Sequence, residues 1–171
     1  KKRIDEGKIC VPMKGMAWYS KGFLHNGSHY FNLLEFWLGK YTGFKIIDLG
    51  YNCNDLDSRP NVEISYENGS VVFMSAWEDD CYSTLDLLSQ SGRLTYERNG
   101  STIEWQSVVS DPSFAGYNIL DPSIELIQDG FKQYQWHVYN QLAEYFAGNQ
   151  NSLCTGHEAL TTLHAMHKII R

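Results

Sequence analysis

Basic residues are the minority charge in this chain and form no stripe, Lys1-Lys2-Arg3 being their longest run: 14 Lys and Arg stand against 20 Asp and Glu, a formal net charge of −6. A general phosphate-backbone binder carries a basic stripe that displaces counterions, so nucleic acid is not an expected partner. Long apolar stretches are missing as well. The longest are a few residues, against roughly 20 for a bilayer-spanning helix, and no positively flanked apolar leader opens the chain. The expectation is a soluble, cytoplasmic protein with no membrane partner. The cysteines, Cys10, Cys53, Cys81 and Cys154, form no Cys-x-x-Cys pair, which argues against a zinc knuckle or a disulfide-dense scaffold and leaves reduced thiols as the simplest account. No Gly-rich phosphate loop and no Gly-x-Ser-x-Gly elbow occurs, so neither a nucleotide cradle nor a hydrolase nucleophile has support.

What is present fits one globular domain spanning 1–171, because 43% of the 171 residues are hydrophobic and 20% charged. Aromatic residues make up 14%, including five Trp and eleven Tyr, enough for large buried faces or an interface. Three Asn-Gly-Ser triplets, at Asn26, Asn68 and Asn99, read as turns.

The first eight residues form a mainly polar stretch, and Gly7 has the place of a helix stop. Ile9 to Ser20 suits an extended segment, with Pro12 and Gly15 pointing to an edge or a bulge. Gly27 to Gly39 reads as a helix, because His29, Leu33 and Trp37 recur every fourth residue, with Asn32 and Phe36 extending that face. Strands follow at Phe44 to Tyr51, Val62 to Tyr66 and Val71 to Trp77, the last two joined by an Asn68-Gly69 hairpin turn. Tyr82 to Leu88, Arg93 to Glu97 and Thr102 to Val109 continue the series, with Asn99-Gly100 as a similar turn. Asp111 to Asp129 reads as loop. Two helices end the chain, about Phe131 to Phe146 with a stripe of Tyr134, Val138, Leu142 and Tyr145, and about His157 to Ile170 with Leu160, Leu163, Met166 and Ile170. The order implies an α+β fold: a mostly antiparallel open sheet of about six strands with helices on one face.

Chemistry concentrates in Gly22-Phe23-Leu24-His25-Asn26-Gly27-Ser28-His29-Tyr30-Phe31-Asn32, where two histidines and amides meet a helix entry. His29 suits an acid or base, since imidazole titrates near neutrality. His25 and His29, four apart, also suit two metal ligands, but no third ligand stands at the spacing a site needs. His29 as a satisfied helix-face residue is the plain alternative. His157, His164 and His167 lack an acidic or Cys partner at ligand spacing, and Asp79-Asp80 reads as a solvated turn.

The run from Gly22 to Gly39 resembles the start of the C-terminal domain of Gfo/Idh/MocA oxidoreductases, where a Gly-rich approach leads to Gly-x-His, an apolar helix and a closing Leu-Gly. Val62 to Gly69 is similar to the family's strand ending in Asn-Gly. Leu87 to Leu94 and the stretches around Phe146 to Asn149 and Gly156 to Leu160 are similar to later elements. The resemblance implies a substrate-side domain whose partner, the chain's own N-terminal Rossmann domain, holds NAD or NADP and a lysine in a Glu-Lys-Pro motif. It further implies a carbohydrate-like substrate, a sugar, an inositol or a nucleotide-linked sugar, with a hydroxyl or carbonyl at the reacting centre, and homodimers or homotetramers formed through the open sheet face. The family's Asp-x-x-x-His pair falls on His25 and His29, so the catalytic candidates are His29 and His25, and the substrate-binding candidates Asn32 and Asn26. The carboxylate is absent at His25, a departure from the family pattern. No residue of this chain is expected to bind the cofactor or a metal. For the sheet, Val71, Phe73 and Trp77, or Ile103, Trp105 and Val109, are the positions expected to supply an apolar face for assembly.

Overall fold

A computed structural model of the chain describes residues 1–50, 57–77, 82–127 and 132–171. The strands form where one face of an alternating pattern can be buried. In β3 (Asn61–Tyr66) Val62, Ile64 and Tyr66 are buried while Glu63 and Ser65 are not, and the same alternation runs through β1 (Met13–Tyr19), β4 (Gly69–Ser75), β5 (Thr84–Ser89) and β6 (Gly92–Glu97). With β2 (Tyr41–Asp48), β7 (Thr102–Ser110) and β8 (Asn118–Leu120) they give one open sheet in the order β2-β3-β4-β1-β5-β6-β7-β8, and β9 (Glu125–Leu126) also pairs with β7. All pairings are antiparallel except β1 with β4. The architecture is α+β.

Several elements differ from the sequence reading. The sheet has nine strands rather than about six, because β8 and β9, in the segment read as loop and on either side of Asp121-Pro122, are too short to alternate visibly. β1 lies at the centre, not an edge. Its Gly15 is there because β5 approaches closely: a Cβ would stand 1.9 Å from the Asp86 carbonyl oxygen. The β3–β4 turn is Glu67-Asn68, one residue earlier than Asn68-Gly69, and Gly69 pairs with Tyr66 inside the ladder. Close packing explains this glycine as well, since a Cβ on it would sit 2.1 Å from the Met13 oxygen. Asn99-Gly100 belongs to a 3₁₀ turn, Arg98–Gly100, with Arg98 and Asn99 both at positive φ.

Helix α1 (Lys2–Asp5) is short, and Gly7 follows it at φ +72°. α2 (Ser28–Leu38) and α4 (Gly156–Ile169) lie on the core side of the sheet. α2 buries Tyr30, Phe31, Leu34 and Leu38, with Phe31 edge-on to Tyr66 at 5.9 Å; each fully buried side chain of this size contributes about 1.5–3 kcal/mol. The stripe of His29, Leu33 and Trp37 is therefore not the core face. The helix is apolar nearly all round, so periodicity alone cannot single out which stripe is buried. On α4 the buried residues are Thr162, Ala165, Met166 and Ile169, leaving Leu160 and Leu163 exposed. In α3 (Tyr134–Phe146) no residue is buried, the stripe of Tyr134, Val138, Leu142 and Tyr145 included; Phe131 lies outside the described residues.

The open face is also not the one expected. Val71 and Phe73 are fully buried and Trp105 nearly so, all on the helix-covered side, while Trp77 is 79% exposed beyond the end of β4. The opposite face carries the register row Glu63–Val72–Met16–Asp86–Thr95–Glu104, with an Arg93–Asp86 ion pair. That face is mixed rather than apolar, because the alternating apolar residues are consumed by the core.

Candidate functional site

The path from β1 into α2 is built around one glycine. Gly22 takes φ 102° and ψ 146°, and a Cβ there would stand 2.0 Å from an Asp57 carboxylate oxygen. Only glycine suits that backbone and that approach. Asp57 then accepts from the backbone N–H of Leu24 at 2.8 Å and of His25 at 3.0 Å, satisfying donors that a helical start leaves unpaired. The chain makes a π-type turn, Phe23–Gly27, closed by Gly27 N–H donating to the Gly22 carbonyl at 3.3 Å, before α2 begins at Ser28. Phe23 anchors the turn in the core against Tyr19 and Phe73.

The turn brings His25, Asn26 and His29 to one cavity of about 510 Å³, within the usual range for small-molecule sites. Both imidazoles are exposed and Asn26 is partly so. Ser20 and Lys21 at the end of β1, Leu33 and Tyr30 from α2, Ser83 before β5, and Tyr96 and Asn99 after it in chain order complete the wall. Sequence reasoning missed Ser20, Lys21, Ser83, Tyr96 and Asn99. Only the sheet order brings their strands to α2, although Ser20-Lys21 does directly precede the Gly22 signal. The four-residue stripe of His29 and Leu33 proves to be a cavity wall, with Trp37 beyond it against Tyr96 at 6.2 Å.

Asn32 does not line this cavity. Its amide donates to Cys154 Sγ at 3.3 Å, tying α2 to the segment before α4.

Burial sets the character of the two phenols. The Tyr30 hydroxyl and Ser83 Oγ are 2.6 Å apart, and burial pushes the Tyr30 phenol up to about 12, with the Ser83 hydrogen bond opposing the rise. Burial also raises Tyr96, whose ring stands edge-on to Tyr30 at 6.1 Å. Both stay protonated near neutrality and act there as hydroxyl donors or acceptors. The described wall thus holds an amine, two imidazoles, amides and hydroxyls, and no carboxylate. That set can bind a polyhydroxylated ligand and move a proton at a hydroxyl.

Among the described residues no three His, Cys, Asp or Glu side chains cluster to hold a metal. His157 and His164 are exposed on α4 and His167 is partly so, and Asp79 and Asp80 lie outside the described residues. No described helix is long and apolar enough to cross a membrane.

No family model and no curated protein matches the sequence. Solved structures do match in shape. UDP-N-acetylglucosamine 3-dehydrogenase from Acidithiobacillus ferrooxidans superposes with a TM-score of 0.61 at 10% identity, covering 98% of this chain and 56% of its own. The fold is one that such dehydrogenases share. Levoglucosan dehydrogenase, solved with NADH and L-sorbose, gives 0.54 at 14% identity, covering 99% of this chain and 51% of its own. A super-repressor mutant of Gal80p from Saccharomyces cerevisiae gives 0.61 at 10%, covering 98% and 57%. The chain spans a little over half the length of each of these proteins, and the likeness agrees with the Gfo/Idh/MocA resemblance at the level of fold.

Proposed function

We propose that the chain is the substrate-side part of an NAD(P)-dependent oxidoreductase acting on a hydroxyl or carbonyl of a carbohydrate-like substrate. In this reading a Rossmann domain preceding Lys1 supplies the dinucleotide and the lysine, in a cytoplasmic protein that assembles as a homodimer or homotetramer. The observation that carries the proposal is the convergence of His25, Asn26 and His29 on one cavity at the entry to α2. Shape likeness to a nucleotide-sugar dehydrogenase and to a dehydrogenase solved with a sugar supports the substrate class. When bound, the cofactor supplies the hydride acceptor or donor. His29 moves the hydroxyl proton or holds that hydroxyl, and His25 assists from the turn. Asn26 hydrogen-bonds the substrate, while Asn32 steadies α2 through Cys154.

Calorimetry and turnover on the full-length polypeptide test this directly. Full-length protein should bind NAD or NADP and interconvert a sugar or inositol hydroxyl and carbonyl, whereas the 171-residue chain alone should bind neither dinucleotide. Micromolar dinucleotide binding by this chain alone would overturn the assignment. A second reading, a non-catalytic binding or assembly module, is favoured by the exposed apolar stripe of α3 and by the repressor among the similar structures. It predicts full-length protein without turnover.

A further inference from the structure

We propose that the ligand of this cavity carries an anionic group, a phosphate ester or a carboxylate, which Lys21 holds with help from His25 and Ser20. The inference rests on the cavity being a carbohydrate site and names the class of carbohydrate it takes.

Three observations converge on it. First, the charged and titratable side chains of the described wall are Lys21, His25, His29, Tyr30 and Tyr96, so its ionised members carry positive charge in a chain whose net charge is −6. Among the described residues Lys21 has neither an ion-pair nor a hydrogen-bond partner. Asp57, packed against Gly22, makes no ion pair with Lys21 and accepts instead from the backbone N–H groups of Leu24 and His25. Because that carboxylate already takes those donors, the anion is held by side chains and not by the start of the turn.

Second, Ser20 lines the same wall, is only 1% exposed, and its Oγ finds no hydrogen-bond partner among the described residues. A buried hydroxyl without a partner is uncommon and costly, and a rotation of the Ser20 side chain that opens Oγ to the cavity would let a ligand oxygen satisfy it. Third, Lys21 sits at φ +60°, a conformation in which Asn and Gly are much commoner than Lys. The residue type is thus not explained by the backbone, and strained residues of this kind gather at ligand clamps. An ammonium suits phosphate or carboxylate oxygens through charge-assisted hydrogen bonds, while neutral hydroxyls gain less from it.

The test is titration of the 171-residue chain with D-glucose 6-phosphate, D-gluconate and D-glucose, followed by amide NMR shifts at Ser20, Lys21 and His25. At least one anionic probe should bind about tenfold or more tightly than glucose, the size of a typical charge-assisted bond, and added salt should weaken it. The two anionic arms tell phosphate from carboxylate. Lys21→Asn suits the backbone and removes the charge, so it should abolish the preference; Lys21→Gly serves the same purpose if the amide does not fold, and Lys21→Arg should keep it. Equal binding of all three probes, no binding of any, or an unchanged preference in Lys21→Asn would overturn the proposal. Its failure is separable from that of the oxidoreductase reading: full-length turnover of uncharged sugars with no gain from charge sinks this site alone. Anion-selective binding without NAD(P)-linked turnover leaves it standing and removes the other.

Discussion

Removing the Glu35 side chain should cost more than its partly exposed position implies, because Glu35 joins three elements. Its Oε2 accepts from Thr162 Oγ1 of α4 at 2.8 Å, and its Oε1 accepts from the Tyr41 N–H at the start of β2 at 3.2 Å. Thr162 is only 4% exposed, so Glu35→Ala strands a buried hydroxyl. A hydrogen bond to a charged group is worth about 1.5–3 kcal/mol, and an orphaned buried donor costs about 1–3 kcal/mol. These overlap, giving roughly 2–3 kcal/mol in all and, at about 2–4 °C per kcal/mol for a domain this size, a fall in Tm of roughly 4–12 °C. If the cost is the stranded hydroxyl, replacing both partners should recover much of it. Urea midpoints of Glu35→Ala, Thr162→Val and the double variant measure the coupling. An additive double variant, within about 0.5 kcal/mol, would refute the argument that this contact docks α4 on α2.

Gly15→Ala should destabilise by about 3 kcal/mol or more, the upper end for overpacking, since its Cβ meets backbone of Asp86; a urea midpoint within about 0.5 kcal/mol of the parent would contradict the β1–β5 spacing. Thr155→Ala should cost about 1 kcal/mol, because Thr155 Oγ1 accepts from the Glu158 N–H and the Glu158 carboxylate accepts in return from Thr155; helical ellipticity on heating checks it. Those bonds hold Glu158 below the usual carboxylate range, so its share of stability is present above that range and is lost on acidification, with a smaller loss in Thr155→Ala. At the other end of the pH scale, burial raises Tyr19, Tyr30 and Tyr66 above the ordinary value of 10.0. The folded state therefore keeps protons that the unfolded chain releases: their stabilisation is complete below pH 10 and declines as pH rises toward about 12 for Tyr30. Urea midpoints should fall from pH 9 to 11, less steeply in Tyr30→Phe; a flat profile would contradict the burial of these phenols.

The central strands were legible because each buries one face: Val62, Ile64 and Tyr66 leave no other register for β3. β8 and β9 were not, since two or three residues held by a neighbour's ladder need no pattern of their own. The face of α2 was misjudged because Tyr30, Phe31 and Leu34 are as apolar as Leu33 and Trp37, and only the sheet beneath decides which are covered. At the site, His25, Asn26 and His29 could be read together because they share one local turn. Asp57, Ser83, Tyr96 and Asn99 could not, because strand order rather than sequence spacing brings them there.

The most direct measurement of the account is kcat and Tm together for full-length His29→Ala. His29 is exposed, so its truncation should change stability by no more than about 0.5 kcal/mol. As an acid or base at the cavity wall it should nonetheless carry roughly 10²- to 10⁴-fold in kcat. A large loss of turnover with an unmoved Tm is the predicted result; unchanged kcat, or a collapsed Tm with normal turnover per folded molecule, would contradict the account.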